Sequence, residues 1–254
     1  MKLFVFEGKK REPDIFRAMK QLFFAEDETI EAVYDCDIYA LYSQMKDLGD
    51  GADVILALRE HYQDRDDSPL PKDLKSSDCS EIYLFFDFDF QDESRSVELL
   101  DAQLNDMLSL FSNETEGGKL YVNYPMVESI AYTKELPDND YWNYSVCRED
   151  CHHFKRLVNE FSFYKNFDFV LKNQNVETRR NWELLVMQNV AKANYLSNGV
   201  LDSHVTDIGS ISQIKILRGQ EKGYTLCNPC RVSVLNSFPL FLYEYYGNKF
   251  LQKG

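Results

Sequence analysis

The stretch "EIYLFFDFDF", residues 81–90, constrains the fold of this chain more than any other segment. It is short and almost wholly apolar, as expected of a β-strand that is buried on both faces. Such strands belong mostly to parallel sheets that helices cover on both sides. Because the run ends in Asp87 and Asp89, it also predicts two carboxylates at the exit of a buried strand.

Strand and helix patterns alternate through the first half of the chain. Phe4, Val5 and Phe6 have the β propensity of a buried strand, and Pro13 suits the first turn of the helix that follows. The same patterns predict further strands at 29–36 and 119–124, and helices at 37–51, 52–64 and 96–111. We therefore expect an α/β domain over residues 1–130, with a mostly parallel sheet flanked by helices.

The pattern changes beyond Pro125. Three segments, 148–161, 176–196 and 232–246, have mainly helical patterns, although Pro239 must interrupt or begin the last of them. We expect residues 131–254 to form a mainly helical region that packs against the sheet.

The charge of the chain limits how it can meet nucleic acid. Its net charge is −14, and residues 165–254 carry 11 Lys or Arg against 7 Asp or Glu, so the excess of acid lies in the first 164 residues. A chain this acidic will not coat nucleic acid by bulk attraction. A local basic surface, a metal ion or a partner would have to overcome the repulsion.

The sequence has no membrane or secretion signal. No apolar stretch approaches the roughly 20 residues that cross a bilayer, and the first residues after Met1 already include charged ones. We expect a cytoplasmic protein with free thiols rather than disulfides. Four cysteines leave a zinc site open if the fold joins them: Cys147, Cys151, Cys227 and Cys230, the first two with His152 and His153 beside them.

Three carboxylates follow two of the predicted strands. Glu7 ends the first strand, and Asp87 and Asp89, two apart on one strand, are expected to point the same way. Sites in open parallel sheets collect outside the carboxyl ends of the strands, so neighbouring strands would bring the three together. Like charges at such range need a cation, and Mg²⁺ or Mn²⁺ prefers oxygen ligands. The alternative is that the aspartates only cap the next helix.

Charged residues beside Glu7 extend this candidate site. Glu12, at the start of the helix, is a candidate ligand of a second ion or a residue that orients the first ligands. Lys9, Lys10 and Arg11 are candidates for contact with substrate phosphate, and the open alternative is a solvated basic turn.

Three segments, "FVFEGKKREPDIF", "LFFDFDF" and "YVNYPMVESI", resemble the Toprim domain of topoisomerases, primases and OLD-type nucleases. The likeness covers about residues 2–130 and is greatest to the RloB-like and PARIS-type anti-phage branch. It implies that Glu7 is a metal ligand or general acid/base and that Asp87 and Asp89 hold Mg²⁺. The segment from Pro125 to Glu128 resembles the family's proline–aromatic–glutamate motif, but Met126 and Val127 replace the aromatic residue.

The resemblance implies a metal-dependent endonuclease that cuts tRNA or DNA as the toxic effector of an anti-phage system. It further implies an ABC-type or AAA-like ATPase that holds or activates the effector, and a homodimer is a further expectation. An alternative is a non-catalytic module that binds metal and docks to the ATPase. The 13 acidic against 3 basic residues in 26–67 would suit a basic partner surface, or a merely solvated exterior.

Overall fold

A computed structural model describes residues 1–24, 28–49, 52–164, 167–172, 175–205 and 207–247 of the chain. Its centre is a sheet of strands β1 (Lys2–Phe6), β2 (Thr29–Val33), β3 (Glu81–Asp87), β4 (Ser112–Asn113) and β5 (Gly118–Asn123). The strand order is β2-β1-β3-β5-β4, with β4 antiparallel to β5 and the other neighbours parallel. The predicted α/β class with a mostly parallel sheet is confirmed.

The first and third strands are neighbours, and their carboxyl ends are level. Phe6 of β1 stands opposite Phe85 of β3, and the Glu7 N–H donates to the Phe85 carbonyl at 3.1 Å. Phe4, Phe6 and Phe85 are fully buried and their rings pack together on one face of the sheet. Burial of these large side chains is the main force that fixes the register.

Helices cover the sheet and form most of the second half. They are α1 (Arg11–Phe23), α2 (Ile38–Leu48), α3 (Val54–His61), α4 (Val97–Leu110), α5 (Arg148–Cys151), α6 (Phe154–Phe161), α7 (Asp168–Leu171), α8 (Val176–Asn198), α9 (Gln213–Thr225) and α10 (Ser237–Tyr246). Asp37, Asp53 and Ser96 cap α2, α3 and α4 by accepting from backbone N–H groups of the first turn. The last two residues of the predicted helix 37–51 lie outside the described residues.

Two of the predicted helices of the second half are wrong in detail. The segment 148–161 contains two helices, α5 and α6, that are separated at His152 and His153. In 232–246 the helix begins only at Ser237, because Arg231–Ser233 is a strand, β7, that pairs with β6 (Ser145–Cys147). The β-branched Val232 favours the strand, and Pro239 lies in the first turn of α10. No predicted helix corresponds to α9.

The second half packs directly on the sheet through α10. The Phe241 ring lies 4.9 to 5.8 Å from the rings of Phe4, Tyr83, Phe85 and Tyr121. The Phe238 ring stacks on Phe85 at 4.5 Å. One hydrophobic core therefore includes residues from both halves, and a domain boundary at residue 130 stays a prediction. None of the helices in the described residues is long and apolar enough to cross a membrane.

Candidate active site

Glu7 and Asp87 meet where β1 and β3 end. Asp87 is the last residue of β3, and its backbone N–H donates to Glu7 Oε2 at 2.9 Å. Asn123, at the end of β5, donates from Nδ2 to Asp87 Oδ1 at 3.0 Å. Asn123 Oδ1 in turn accepts from the backbone N–H of Ser237 at 3.0 Å and from its hydroxyl at 2.7 Å. The ends of three parallel strands therefore hold Glu7 and Asp87 in fixed positions.

Asp89 lines the same cleft as Glu7 and Asp87, but not because residues two apart on a strand point the same way. The strand ends at Asp87, and Asp89 has a φ of 49°, in the left-handed region, so a turn and not strand alternation sets its direction. Aspartate is one of the residues that tolerate this conformation. Gln91 Nε2 donates to Asp89 Oδ1 at 2.7 Å.

Arg148 holds the loop that carries Asp89 and Gln91. Its guanidinium donates to the backbone carbonyls of Phe90 at 2.9 Å, Asp92 at 2.5 Å and Arg95 at 2.8 Å. Arg148 begins α5, in the second half of the chain. A residue that sequence reasoning missed therefore fixes the loop after β3.

Asp87 is buried and Glu7 and Asp89 are half-buried among like charges, which favours the protonated forms of all three. Burial, and next the charge of Asp89, hold the pKa of Glu7 well above its usual range, although the hydrogen bond from the Asp87 N–H lowers it. Burial, followed by the charge of Glu7, has the same effect on the pKa of Asp87. Burial raises the pKa of Asp89 to about 6, against the hydrogen bond from Gln91. Carboxylates that lie close together without a cation between them raise one another's pKa values.

Two further carboxylates, Glu12 and Glu128, are buried next to these three. Glu12 lies in the first turn of α1, and burial raises its pKa, with a contribution from the charge of Glu128. Gly8 leaves the space for it, because a Cβ on Gly8 would lie 2.8 Å from Glu12 Oε2. Glu128 Oε1 lies 3.5 Å from Lys155 Nζ, and Glu128 Oε2 has no hydrogen-bond partner among the described residues.

The acids open into a cleft of about 530 Å³ that is also lined by a basic segment. Glu7, Asp87, Asp89 and Gln91 line one part of the cleft. The remaining lining residues include His152, His153, Lys155 and Arg156, which lie at and just before the start of α6. The run "HHFKR" is the sequence signal that could have found them, as four basic side chains within five residues.

The predicted phosphate contacts Lys9, Lys10 and Arg11 are not among the residues that line this cleft. All three are exposed at the surface. The Lys9 ammonium pairs with Asp35, and the Arg11 guanidinium lies 4.9 Å from the centre of the Phe167 ring. Lys10 immediately precedes α1.

Neither the cysteines nor the acids of the described residues form a group that could hold a metal ion without rearrangement. All six cysteines are free, with Cys147 and Cys151 buried and Cys227 exposed. In the part of the chain that the structure describes, no three Asp, Glu, His or Cys side chains are positioned to hold a metal ion as they stand.

The oxygen donors of the cleft nevertheless fit a hard divalent cation. They are the carboxylates of Glu7, Asp87 and Asp89 and the side-chain amide of Gln91, whose buried Oε1 lacks a hydrogen-bond donor within the described parts of the chain. Glu128 Oε2, buried next to these acids, also lacks a donor there. Mg²⁺ and Mn²⁺ bind such oxygens and would offset the repulsion among the acids. Comparison of this chain with protein-family models, curated proteins and solved structures gave no match.

Proposed function

We propose that this protein is a metal-dependent nuclease that hydrolyses phosphodiester bonds. The observation that carries the proposal is the meeting of Glu7, Asp87 and Asp89 at the carboxyl edge of the sheet, with raised pKa values, in a cleft that basic residues also line. Strongly perturbed carboxylates in a cleft are typical of functional sites, because acids placed together cost stability and real proteins accept such a cost mainly at functional sites.

The site residues would share the work as follows. Glu7, Asp87 and Asp89 would hold Mg²⁺ or Mn²⁺, with Glu12 supporting them or binding a second ion. A bound ion of this kind supplies an activated water and offsets negative charge on the phosphate. Asn123 and the Asp87 N–H orient the Asp87 and Glu7 carboxylates by hydrogen bonds. Glu7 would serve either as a ligand of the ion or as the general acid/base, because a carboxylate that binds the ion must give up its proton.

The resemblance to Toprim nucleases of anti-phage systems supports the biological side of the proposal. In this proposal the protein acts in the cytoplasm on tRNA or DNA, and an ABC-type or AAA-like ATPase holds or activates it. A homodimer is compatible with either substrate. These proposals rest on the likeness of the quoted segments, with Glu128 standing where the motif has its glutamate.

The test is cleavage by purified protein and in cells. Wild type, Glu7→Gln and Asp87→Asn are incubated with total tRNA and with single- and double-stranded DNA, in Mg²⁺, Mn²⁺ or EDTA. The same variants are expressed alone and with the ATPase, and growth and nucleic-acid integrity are followed. We expect cleavage that needs the metal and is lost in both variants. Glu114→Gln, an acid outside the cleft, is the matched control.

Two results would contradict the proposal. Cleavage that survives in Asp87→Asn would mean that another site, or a contaminant, cuts the nucleic acid. Wild-type protein that binds Mn²⁺ and the ATPase, yet cuts nothing in cells where that ATPase is active, would favour a non-catalytic docking module.

A further inference from the structure

The cleft carries a second feature that the carboxylates do not explain, a basic wall of His152, His153, Lys155 and Arg156. We propose that this basic wall binds the phosphates of the nucleic-acid strand that flank the bond to be cut. The inference rests on the proposed function, because it takes a phosphodiester as the substrate, and it replaces Lys9, Lys10 and Arg11 as the phosphate contacts.

The position of the basic wall makes it suitable for this role. Its four side chains line the same cleft as Glu7, Asp87 and Asp89, so a strand that reaches the acids also meets the wall. The wall includes the start of α6, where the His153 side chain makes no capping hydrogen bond and no acid occupies the first turn. A helix start without a capping side chain adds partial positive charge to that of the ammonium and guanidinium groups.

The present partner of Arg156 is one that a phosphate can displace, and the Lys155 ammonium is exposed to the cleft. Lys155 lies 3.5 Å from Glu128, and Arg156 lies 3.6 Å from Glu160. The Lys155 and Arg156 side chains are 73% and 66% exposed. The Arg156–Glu160 pair is exposed on both sides and contributes only about 0–1 kcal/mol, whereas Glu128 is buried, so its pair with Lys155 costs more to break. A phosphate offers Arg156 a bidentate, charge-assisted contact in exchange.

The cleft favours recognition of the backbone over recognition of bases. The apolar residues that line it, such as Phe154 and Met126, are themselves buried, so the exposed rings among the described lining residues are the imidazoles of His152 and His153. Large aromatic rings of the kind that form base-stacking platforms are not exposed in that described lining. Phosphate contacts position a strand and do not read its sequence. Binding at the wall should therefore be insensitive to sequence and sensitive to salt.

The experiment measures binding separately from cleavage. Full-length Asp87→Asn protein, which keeps substrates intact, is titrated with fluorescent single-stranded RNA and DNA oligonucleotides of mixed sequence over a range of salt. Lys155→Ala/Arg156→Ala is compared, in the same background, with Lys9→Ala/Lys10→Ala, which removes the same charge outside the cleft. We expect the first pair to weaken binding by about tenfold or more. The salt slope should fall by about 1–2, because each phosphate that the protein no longer neutralises lowers it by about one.

The single variant Arg156→Ala controls for misfolding that the loss of Lys155 could cause. Lys155→Ala leaves the buried Glu128 without its cation, whereas Arg156→Ala affects only an exposed pair with Glu160. Arg156→Ala alone should weaken binding by a few-fold and raise KM more than it lowers kcat, and Arg156→Lys should restore part of the affinity.

The outcomes separate the two proposals. Equal binding by the wall variants and the parent, or a larger decrease in Lys9→Ala/Lys10→Ala, would overturn the basic wall and leave the nuclease proposal standing. Binding that depends on the wall, in a protein whose wild type never cleaves, would support the wall and overturn the nuclease. Failure of the folded parent to bind either oligonucleotide at low salt would overturn the wall.

Discussion

Acidic side chains cluster at both edges of the sheet, but their charges are balanced differently at the two edges. At the amino edge, Glu81, Glu114 and Glu244 line a cavity of about 380 Å³. Lys119 Nζ lies 2.7 Å from Glu244 and 3.9 Å from Glu114, and Lys2 Nζ lies 3.3 Å from Glu81. The hydroxyls of Tyr83 and Tyr121 donate to Glu81 and Glu244, at 2.8 and 2.5 Å.

At the carboxyl edge the acids face one another instead. Glu7, Asp87 and Asp89 are held by N–H groups of the backbone and of amide side chains, which orient them but add no positive charge. Their pKa values are raised, Asp89 to about 6. The comparison teaches that a cluster of acids by itself indicates little. Acids that the fold orients through neutral N–H donors, and that no lysine or arginine pairs with directly in the described residues, fit the proposed binding of an ion from solution.

The largest expected effect is a difference in cleavage rate between substitutions at the carboxyl edge and at the amino edge of the sheet. Under the proposed function, Asp87→Asn should lower the rate of cleavage by on the order of 10³-fold, because it would remove a charged ligand of the proposed ion. It should also raise the melting temperature of the ion-free protein, since one of the repelling charges is gone. Glu114→Gln, at the amino edge, should leave the rate unchanged. Equal decreases in the two variants, measured as initial rates on one substrate, would break the comparison.

The next effect concerns the loop after β3. Arg148→Met removes the three hydrogen bonds to the carbonyls of Phe90, Asp92 and Arg95, so Asp89 and Gln91 should lose their fixed position. We expect Mn²⁺ affinity to fall by about 10- to 100-fold, as is typical for residues that orient ligands. Arg148→Lys should recover little, because it lacks the planar fork. Calorimetric titration with Mn²⁺ measures this, with the exposed Arg231→Met as control, and unchanged affinity would refute the positioning role.

A stability change is expected at the amino edge. Lys119→Met leaves Glu244, whose side chain is only 12% exposed, without its lysine, and should lower the free energy of unfolding by about 1–2 kcal/mol. Cleavage should not change, because the substitution is at the opposite edge from the cleft. Urea denaturation and a cleavage assay on the same preparation check both. A decrease in cleavage without a decrease in stability would contradict the structural role of this edge.

The smallest expected effect is a dependence of stability on pH. The folded-state pKa of Asp89 is about 6, above the value near 4 of an unfolded aspartate, so folding takes up protons between these values. Its contribution to stability is fully present below about pH 4 and is lost as the pH rises through about 6, at a cost of about 1 kcal/mol after discounting for partial exposure.

Melting temperatures in EDTA at pH 5 and 7.5 test this dependence. The decrease from pH 5 to 7.5 should be smaller in Asp89→Asn than in wild type. Added Mg²⁺ should stabilise the wild type more at pH 7.5 than at pH 5, because its ligands must be ionised. An equal decrease in melting temperature in both proteins would mean that the pKa of Asp89 is not raised by folding.

The sequence was informative where structure depends on local burial. The apolar runs around Phe4 and Phe85 predicted the central strands, because a strand buried on both faces needs an almost continuous apolar segment. Adjacent strands then bring Glu7 and Asp87 together without further information. Asp89 lies near Glu7 and Asp87, as predicted. A turn with a positive φ, and not the strand alternation on which the prediction rested, sets its position.

The remaining parts of the site depend on contacts that are distant in sequence. The basic wall lies more than 60 residues after Asp87 along the chain, and it reaches the cleft through the β6–β7 pairing and the break between α5 and α6. Lys9, Lys10 and Arg11 are close to Glu7 in sequence, yet they are exposed outside the cleft. Proximity along the chain was therefore a poor guide to which basic residues share the cleft with the acids.

The link from Asp87 through Asn123 to Ser237 has a consequence for protein synthesis. Ser237 follows Asn123 by 114 residues, so a ribosome that adds about 5–20 residues per second needs roughly 6 to 23 seconds to make the intervening chain. During this interval Asn123 lacks the donors that fix its amide, and Asp87 lacks a fixed neighbour. A nascent chain therefore carries the acids of the site before it can hold them in place, so under the proposed function the chain would gain its activity only after Ser237 has been made.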